Sequence, residues 1–259
     1  MADELIGRVA LVTGGSRNIG RALALRFSDA GARVALTYNT DAESAEETVR
    51  LITERGGTAQ AYQATLEEPG TPDRLHAEVA GDFGTVDVLV NSAAVRPRQV
   101  LGEVTAEAFD AVFALNVRAG FLLAQAVAPG MREQAFGRIL FFGGLSSYIG
   151  QTARAAVMAS KLAVVGVARS LAFELGPAGV TVNVVVPGRI DTERGAVEQY
   201  GPARNREAQL PLIPVGRLGS TQDIAELCLF LVSPAAGFIS GQELFVTGGA
   251  YPLTTHGVG

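Results

Sequence analysis

The chain has 259 residues and a formal net charge of −5, with 48% hydrophobic and 18% charged residues. A chain of that length buries roughly three quarters of its extended surface, suits one α/β domain and is too apolar to be disordered. The acidic balance argues against a nucleic-acid partner, and no basic run marks a membrane surface.

In chain order, the acidic start M-A-D-E-L-I-G-R has no apolar signal core. Arg8–Thr13 is a short run of branched apolar residues between glycines, as in a buried strand. Asn18–Ala30 has helical spacing and stops at Gly31. Arg33–Tyr38 is a second strand, Asp41–Arg55 a helix with a charged face, and Thr58–Ala64 a third strand. Pro69–Ala80 is predicted helical, Val86–Val90 a strand and Thr105–Glu133 a long helical stretch. Arg138–Phe142 is the fifth strand, Thr152–Leu175 a helix, Val180–Val186 the sixth strand, Ser220–Leu231 a helix and Glu243–Val246 the last strand. Cys228 is the single cysteine, which excludes an intrachain disulfide, and it falls in an apolar helical pattern as a buried inert thiol would.

Apolar strands separated by helices predict one doubly wound, Rossmann-like α/β domain over 1–259, with about seven parallel strands covered on both faces. No apolar run reaches the roughly 18 residues of a membrane span, and a cytoplasmic location is expected. Arg189–Leu218, rich in Gly, Pro and charge, is the candidate substrate loop, or simply a long loop.

The first strand runs into T-G-G-S-R-N-I-G, Thr13 to Gly20, ahead of a helix. Such a turn is an anion site: glycines let backbone approach a pyrophosphate, and the helix end offers N–H groups and partial positive charge. Asn18 occupies a turn position where left-handed geometry is tolerated by asparagine. The second strand ends in Tyr38-Asn39-Thr40 with no acid for a ribose 2′-hydroxyl; Asp41 comes slightly later. With Arg17 nearby, this favours a 2′-phosphate, so NADP(H) is expected over NAD(H); a plain surface charge is the other reading of Arg17.

Gly137 to Lys161 reads G-R-I-L-F-F-G-G-L-S-S-Y-I-G-Q-T-A-R-A-A-V-M-A-S-K. This stretch closely resembles the active-site strand and helix of the short-chain dehydrogenase/reductase family. Gly14 and Gly20 match that family's T-G-x-x-x-G-x-G, with Asn18 at its middle glycine. Asn91 and Ala93 match N-N-A-G, Asn116 matches the helix asparagine, and Pro187-Gly188 with Thr192 match P-G-x-x-x-T. Thr65 stands where an Asp commonly contacts adenine. R-L-G-S-T-Q-D-I-A and F-I-S-G-Q-E-L-F-V-T-G-G-A resemble the closing helix and strand, so the likeness covers residues 5 to 251. It implies a cofactor site at Gly14, Ser16, Arg17, Asn18, Ile19, Gly20, Asn39, Thr65, Asn91, Ala93, Lys161, Pro187, Gly188, Ile190 and Thr192.

The resemblance also implies hydride transfer between nicotinamide and a carbonyl carbon, whose oxygen needs a donor and a proton. In the family a Ser and a Tyr supply these, a Lys lowers the Tyr pKa and holds the ribose, and an Asn anchors a water. Without gaps, Lys161 and Asn116 are kept, the Tyr is Val157 and the Ser is Gly144. Small and apolar replacements predict a wider, drier pocket. Tyr148 offers a substitute donor, as in the dienoyl-CoA reductase branch, where the Tyr also comes from this loop; an aromatic on the pocket rim is the other reading. Ser146 and Ser147 are either donors to an oxygen or plain loop residues. Arg154 is either an electrophile for an anionic substrate or a solvated side chain. His76 and His256 read as structural or surface residues, and no metal site is expected.

An NADP(H)-dependent oxidoreductase with an atypical site, acting on a small organic carbonyl or conjugated alkene, is the leading expectation. A non-redox cyclase, isomerase or dehydratase on the same scaffold, and a non-catalytic binding protein, are the alternatives, since fold does not fix function. A homo-oligomer, tetramer or dimer, is expected through residues 105–133 and 152–175.

Overall fold

The structure, a computed structural model, describes residues 4–192 and 210–252. From the N-terminus these are β1 (Val9–Val12), α1 (Asn18–Asp29), β2 (Arg33–Tyr38), α2 (Ala42–Glu54), β3 (Thr58–Gln63), α3 (Thr71–Phe83) and β4 (Val88–Asn91). Then come α4 (Ala106–Phe113), a π-helical turn (Ala114–Ala119), α5 (Gly120–Glu133), β5 (Gly137–Phe142), α6 (Ser146–Ile149) and α7 (Ala155–Leu175). The chain closes with β6 (Val180–Pro187), a helix we number α8 (Thr221–Val232), and β7 (Glu243–Val246).

The seven described strands form one sheet in the order β3-β2-β1-β4-β5-β6-β7, every pair parallel. The strand period of two sorts the core. Val9 and Leu11 face the layer of α3, α5 and α7, with Leu123, Val127 and Val164. Ala10 and Val12 face α1, α2 and α8, with Leu23, Phe27 and Leu229. Each such leucine or valine contributes about 1.5–3 kcal/mol by leaving water. Central strands are therefore buried throughout, whereas β3, at the edge, alternates in exposure.

Two helical stretches, Ala106–Glu133 and Ala155–Ala178, are long and apolar enough by composition to cross a membrane. The run-length expectation missed them because scattered polar residues interrupt the sequence run without lowering the mean. Both pack one face on the sheet, burying residues such as Leu123, Val127, Val164 and Ala168. Thr152 and Ala153 precede α7 rather than joining it, because Ala153 adopts a positive φ of 58°. The short α6 was not foreseen; Gly150, at φ 82°, ends it. Cys228 is fully buried, and burial pushes its thiol pKa up, as expected of an inert thiol.

The chain winds outward from β1 to β3 and then returns to β4 beside β1. That reversal opens a crevice at the C-terminal ends of β1 and β4, where ligands bind in sheets of this kind.

Candidate active site

A cleft of about 340 Å³ occupies that crevice. One end is built on the turn after β1. Gly14 has φ +65°, and a Cβ there would lie 3.1 Å from the Ala93 Cα; a Cβ on Gly20 would overlap the Gly14 carbonyl oxygen. Asn18 takes φ 51°, so asparagine does adopt the left-handed geometry expected of it. The side chain of the N-cap residue Arg17 does not cap α1, and no acid sits in its first turn. Its N-terminal residues Asn18, Ile19 and Gly20 line the cleft with Ser16 and Arg17. An uncapped helix end behind a glycine cradle fits a pyrophosphate.

Two threonines, Thr13 at the head of the glycine motif and Thr37, which motif matching passed over, hold this end together. The Thr13 hydroxyl accepts from the amides of Ser92 and Ala93, both at 3.0 Å, and the Gly14 amide donates to the Thr37 hydroxyl at 3.1 Å. The ends of β1, β2 and β4 are thus laced together beneath the cleft. A hydroxyl ending one buried strand beside another was the available signal.

Tyr38, Asn39, Thr40 and Asp41 form the next wall. Asp41, expected to lie beyond the strand end, also lines the cleft. Its carboxylate caps α2 by accepting from the Ser44 amide at 3.1 Å, and it lies 3.9 Å from the Arg17 guanidinium. The Ser44 hydrogen bonds, with Arg17 beside it, hold its pKa below the usual carboxylate value. Thr65 does not line the cleft. Its hydroxyl meets the Asn39 side chain at 3.4 Å, while Ala64, Leu66 and Glu67 face inward.

Ala93, Ala94, Val95 and Arg96 make the wall after β4. Asn91 lies beneath them, and its side-chain atoms are buried with no partner among the described residues. Asn116 sits in the π-helical turn, where one extra residue per turn re-aims side chains. Its amide accepts from the Val95 N–H at 2.9 Å, donates to the Val95 carbonyl at 3.0 Å and donates to the Ser160 hydroxyl at 3.0 Å. Asn116 is therefore a positioning residue for this wall, and it does not line the cleft itself.

At the far end are Phe142, Gly143, Gly144, Lys161, Pro187, Gly188, Ile190 and Thr192. Lys161 is only 7% exposed, and its ammonium donates to the Phe142 carbonyl at 2.8 Å. Space is open over Gly144: a Cβ there would meet only the Lys161 Cγ, at 3.9 Å. Val157 is different. It is buried against Val112 and Ala156 and does not line the cleft, so the widening expected there does not follow from its substitution. Gly219, just before α8, exchanges backbone bonds with Arg189 and Asp191 and fixes the Ile190 segment.

Tyr148, Ser146 and Ser147 lie on α6 and take no part in the cleft. The Tyr148 hydroxyl donates to the Glu243 carboxylate, and its ring meets Phe245 at 4.9 Å and Tyr251 at 5.5 Å. Burial and the Glu243 carboxylate push its pKa up, away from easy proton donation. Tyr148 sits on a short helical turn that takes its hydroxyl to Glu243 rather than to the cleft. The Ser147 hydroxyl is buried with no partner among the described residues. Arg154 is not the solvated side chain of the second reading: it is buried, and its guanidinium donates to the Arg96 carbonyl. His76 is on α3, away from the cleft; His256 and most of the expected substrate loop lie outside the described residues.

A glycine cradle, an uncapped helix and a crevice at the strand-order reversal define a dinucleotide-binding α/β protein. A family model described as enoyl-(acyl carrier protein) reductase matches residues 14–251. An acetoacetyl-CoA reductase of Shinella zoogloeoides is 36% identical over 248 residues, covering 95% of this chain and 99% of that one. A blue fluorescent protein from a metagenomic library, in complex with NADPH, superposes with TM-score 0.88 at 35% identity, covering 96% of this chain and 99% of that one. A short-chain dehydrogenase from Burkholderia cenocepacia J2315 in complex with NADP gives TM-score 0.85 at 37% identity, over 95% and 99%. The chain belongs to the short-chain dehydrogenase/reductase family.

Proposed function

We propose that this chain is an NADP(H)-dependent reductase of a small organic carbonyl or conjugated alkene, working without the tyrosine and serine that usually serve the reacting oxygen. The observation that carries this reading is the placement of Lys161. It is tied to the end of β5 at the floor of a dinucleotide-shaped cleft, while Gly144 beside it is bare and Val157 is turned into apolar packing. Bound NADPH would supply a hydride to the substrate. The chain's own residues do the rest: the α1 end and Gly14 seat the phosphates, Asn116 fixes the Val95 wall, and Lys161 holds the nicotinamide ribose.

Support for the phosphorylated cofactor comes from Arg17 beside Asn39 and Thr40, and from related structures that hold NADPH or NADP. Asp41 is compatible with it because Arg17 and Ser44 already engage that carboxylate. Exposed Phe121 on α5 and Leu162 and Phe173 on α7 support a homo-oligomer through those helices.

The test is NADPH binding, followed by fluorescence, and NADPH consumption against a panel of carbonyls and enones. Binding with turnover on one of them is expected. Binding without turnover on any would favour a non-redox enzyme or a binding protein, and no binding would remove the reading.

A further inference from the structure

The wall after β4 stands beside the reacting end, because β4 pairs with β5 and Asn91 lies across from Phe141. Val95, Arg96 and Leu115 line the cleft together with Gly144 and Lys161. Asn116 holds both backbone groups of Val95 from the π-helical turn. The residues just after Val95 are held from a second place, the segment before α7. The Arg96 carbonyl accepts from the Arg154 guanidinium, and the Gln99 amide donates to the Ala153 carbonyl at 3.1 Å. Ala153 takes a φ of 58°, a conformation that a non-glycine residue keeps only where its surroundings over-determine it. Arg154 is 4% exposed, and a guanidinium keeps its charge in proteins. Burying such a cation is unfavourable unless acceptors meet it, so the joint between Arg154 and the wall has a narrow geometry.

We propose that Arg154 is a positioning residue for the substrate: it fastens the wall at residues 95–99 to the start of α7 and so sets the width of the pocket between that wall and Gly144. The inference rests on the reductase reading above. Arg154 does not line the cleft and acts through Arg96 and its neighbour Val95, which do. Because α7 also carries Lys161, the fastening keeps the spacing between wall and ammonium. Val95 and Leu115 make the wall apolar, while Gly144 leaves room beside it. The substrate class that fits is a carbonyl or enone whose apolar substituent, a ring or branched alkyl group, lies against Val95. A fixed wall gives that substituent its binding contacts; a loose one does not.

The experiment compares wild type with Arg154→Met, both loaded with NADPH. Cofactor affinity is read by fluorescence and backbone amide exchange by mass spectrometry. Reduction is followed on two panel substrates that share one carbonyl and differ in the bulk of the apolar substituent. In Arg154→Met, NADPH affinity should stay within a few-fold. Exchange should quicken about tenfold at residues 95–99 and stay unchanged in β4. The KM of the bulky substrate should rise about tenfold, with its kcat and the KM of the slim one little changed. Should Arg154→Met not fold, Arg154→Gln, neutral and shorter, takes its place; loss of folding in both overturns the inference, since Arg154 would then serve stability alone. Unchanged exchange at residues 95–99 also overturns it, as does equally fast exchange in β4, an unchanged substrate preference, or a fall in kcat alike on both substrates. The reductase reading survives all of these. A wild type that binds NADPH but reduces nothing removes that reading, and the exchange pattern then decides by itself whether Arg154 fastens the wall.

Discussion

The two ends of the cleft are built on different principles. Around β1 and β2, backbone and threonine hydroxyls are bonded to one another, glycines are forced by close approach, and the first turn of α1 carries no acid. Around β5 and α7, the described wall is largely apolar, and the buried Lys161 ammonium donates to the Phe142 carbonyl. A site for a phosphate-bearing ligand demands backbone geometry, which tolerates little change. A site for the reacting atoms depends on one or two side chains, which can be exchanged while the scaffold stays intact. Departures from the family pattern can therefore gather at the second end without unmaking the first.

The largest blow to this contrast should come from Gly20→Ala. Its Cβ would collide with the Gly14 carbonyl, so the turn must shift. We expect NADPH affinity to fall about 10²-fold through loss of charged hydrogen bonds, and stability by about 1–3 kcal/mol from overpacking, checked by fluorescence titration and thermal unfolding. The opposite experiment refits the bare end. Val157→Tyr with Gly144→Ser should raise ketone reduction by about 10²–10⁴ if only donors are missing. Gly144→Ser fits the open space; near-ultraviolet circular dichroism checks that the tyrosine has not unpacked Val112.

Tyr148→Phe belongs to neither end. Turnover should be nearly unchanged, with a loss of about 1 kcal/mol for the missing bond to Glu243; a collapse in steady-state rate would return Tyr148 to the mechanism. Smallest is Asp223, which with Ser220 forms the capping box of α8, near the backbone bonds that fix Ile190. Its hydrogen bonds to Arg217, and then to Ser220, hold its pKa well below the usual carboxylate range. A depressed folded pKa contributes stability above the unfolded value of about 3.9 and loses it as pH falls below that. Asp223→Asn should therefore melt earlier than wild type at neutral pH, by about 1 kcal/mol, with the gap closing in acid.

Much of this was legible in the chain. Alternating apolar strands and helices, Gly14 and Gly20 in their turn, and Lys161 at its spacing specified the sheet, the cradle and the family, because local backbone demands leave a local signature. Val157 and Gly144 were equally plain as letters. Their effects were not: one is packed against Val112 and the other opens on Lys161, and that depends on which helix residues meet across the fold. Tyr148 and Arg154 show the same limit. Each stands a few residues from the reactive stretch, yet a four-residue helix turns one toward Glu243, and a left-handed residue before α7 sets the other beneath the Arg96 carbonyl. Sequence by itself determined the scaffold and placed Val157 and Gly144 ahead of Lys161. Only the tertiary structure decided which remaining groups share the cleft, because side-chain direction is set by packing between elements far apart in the chain.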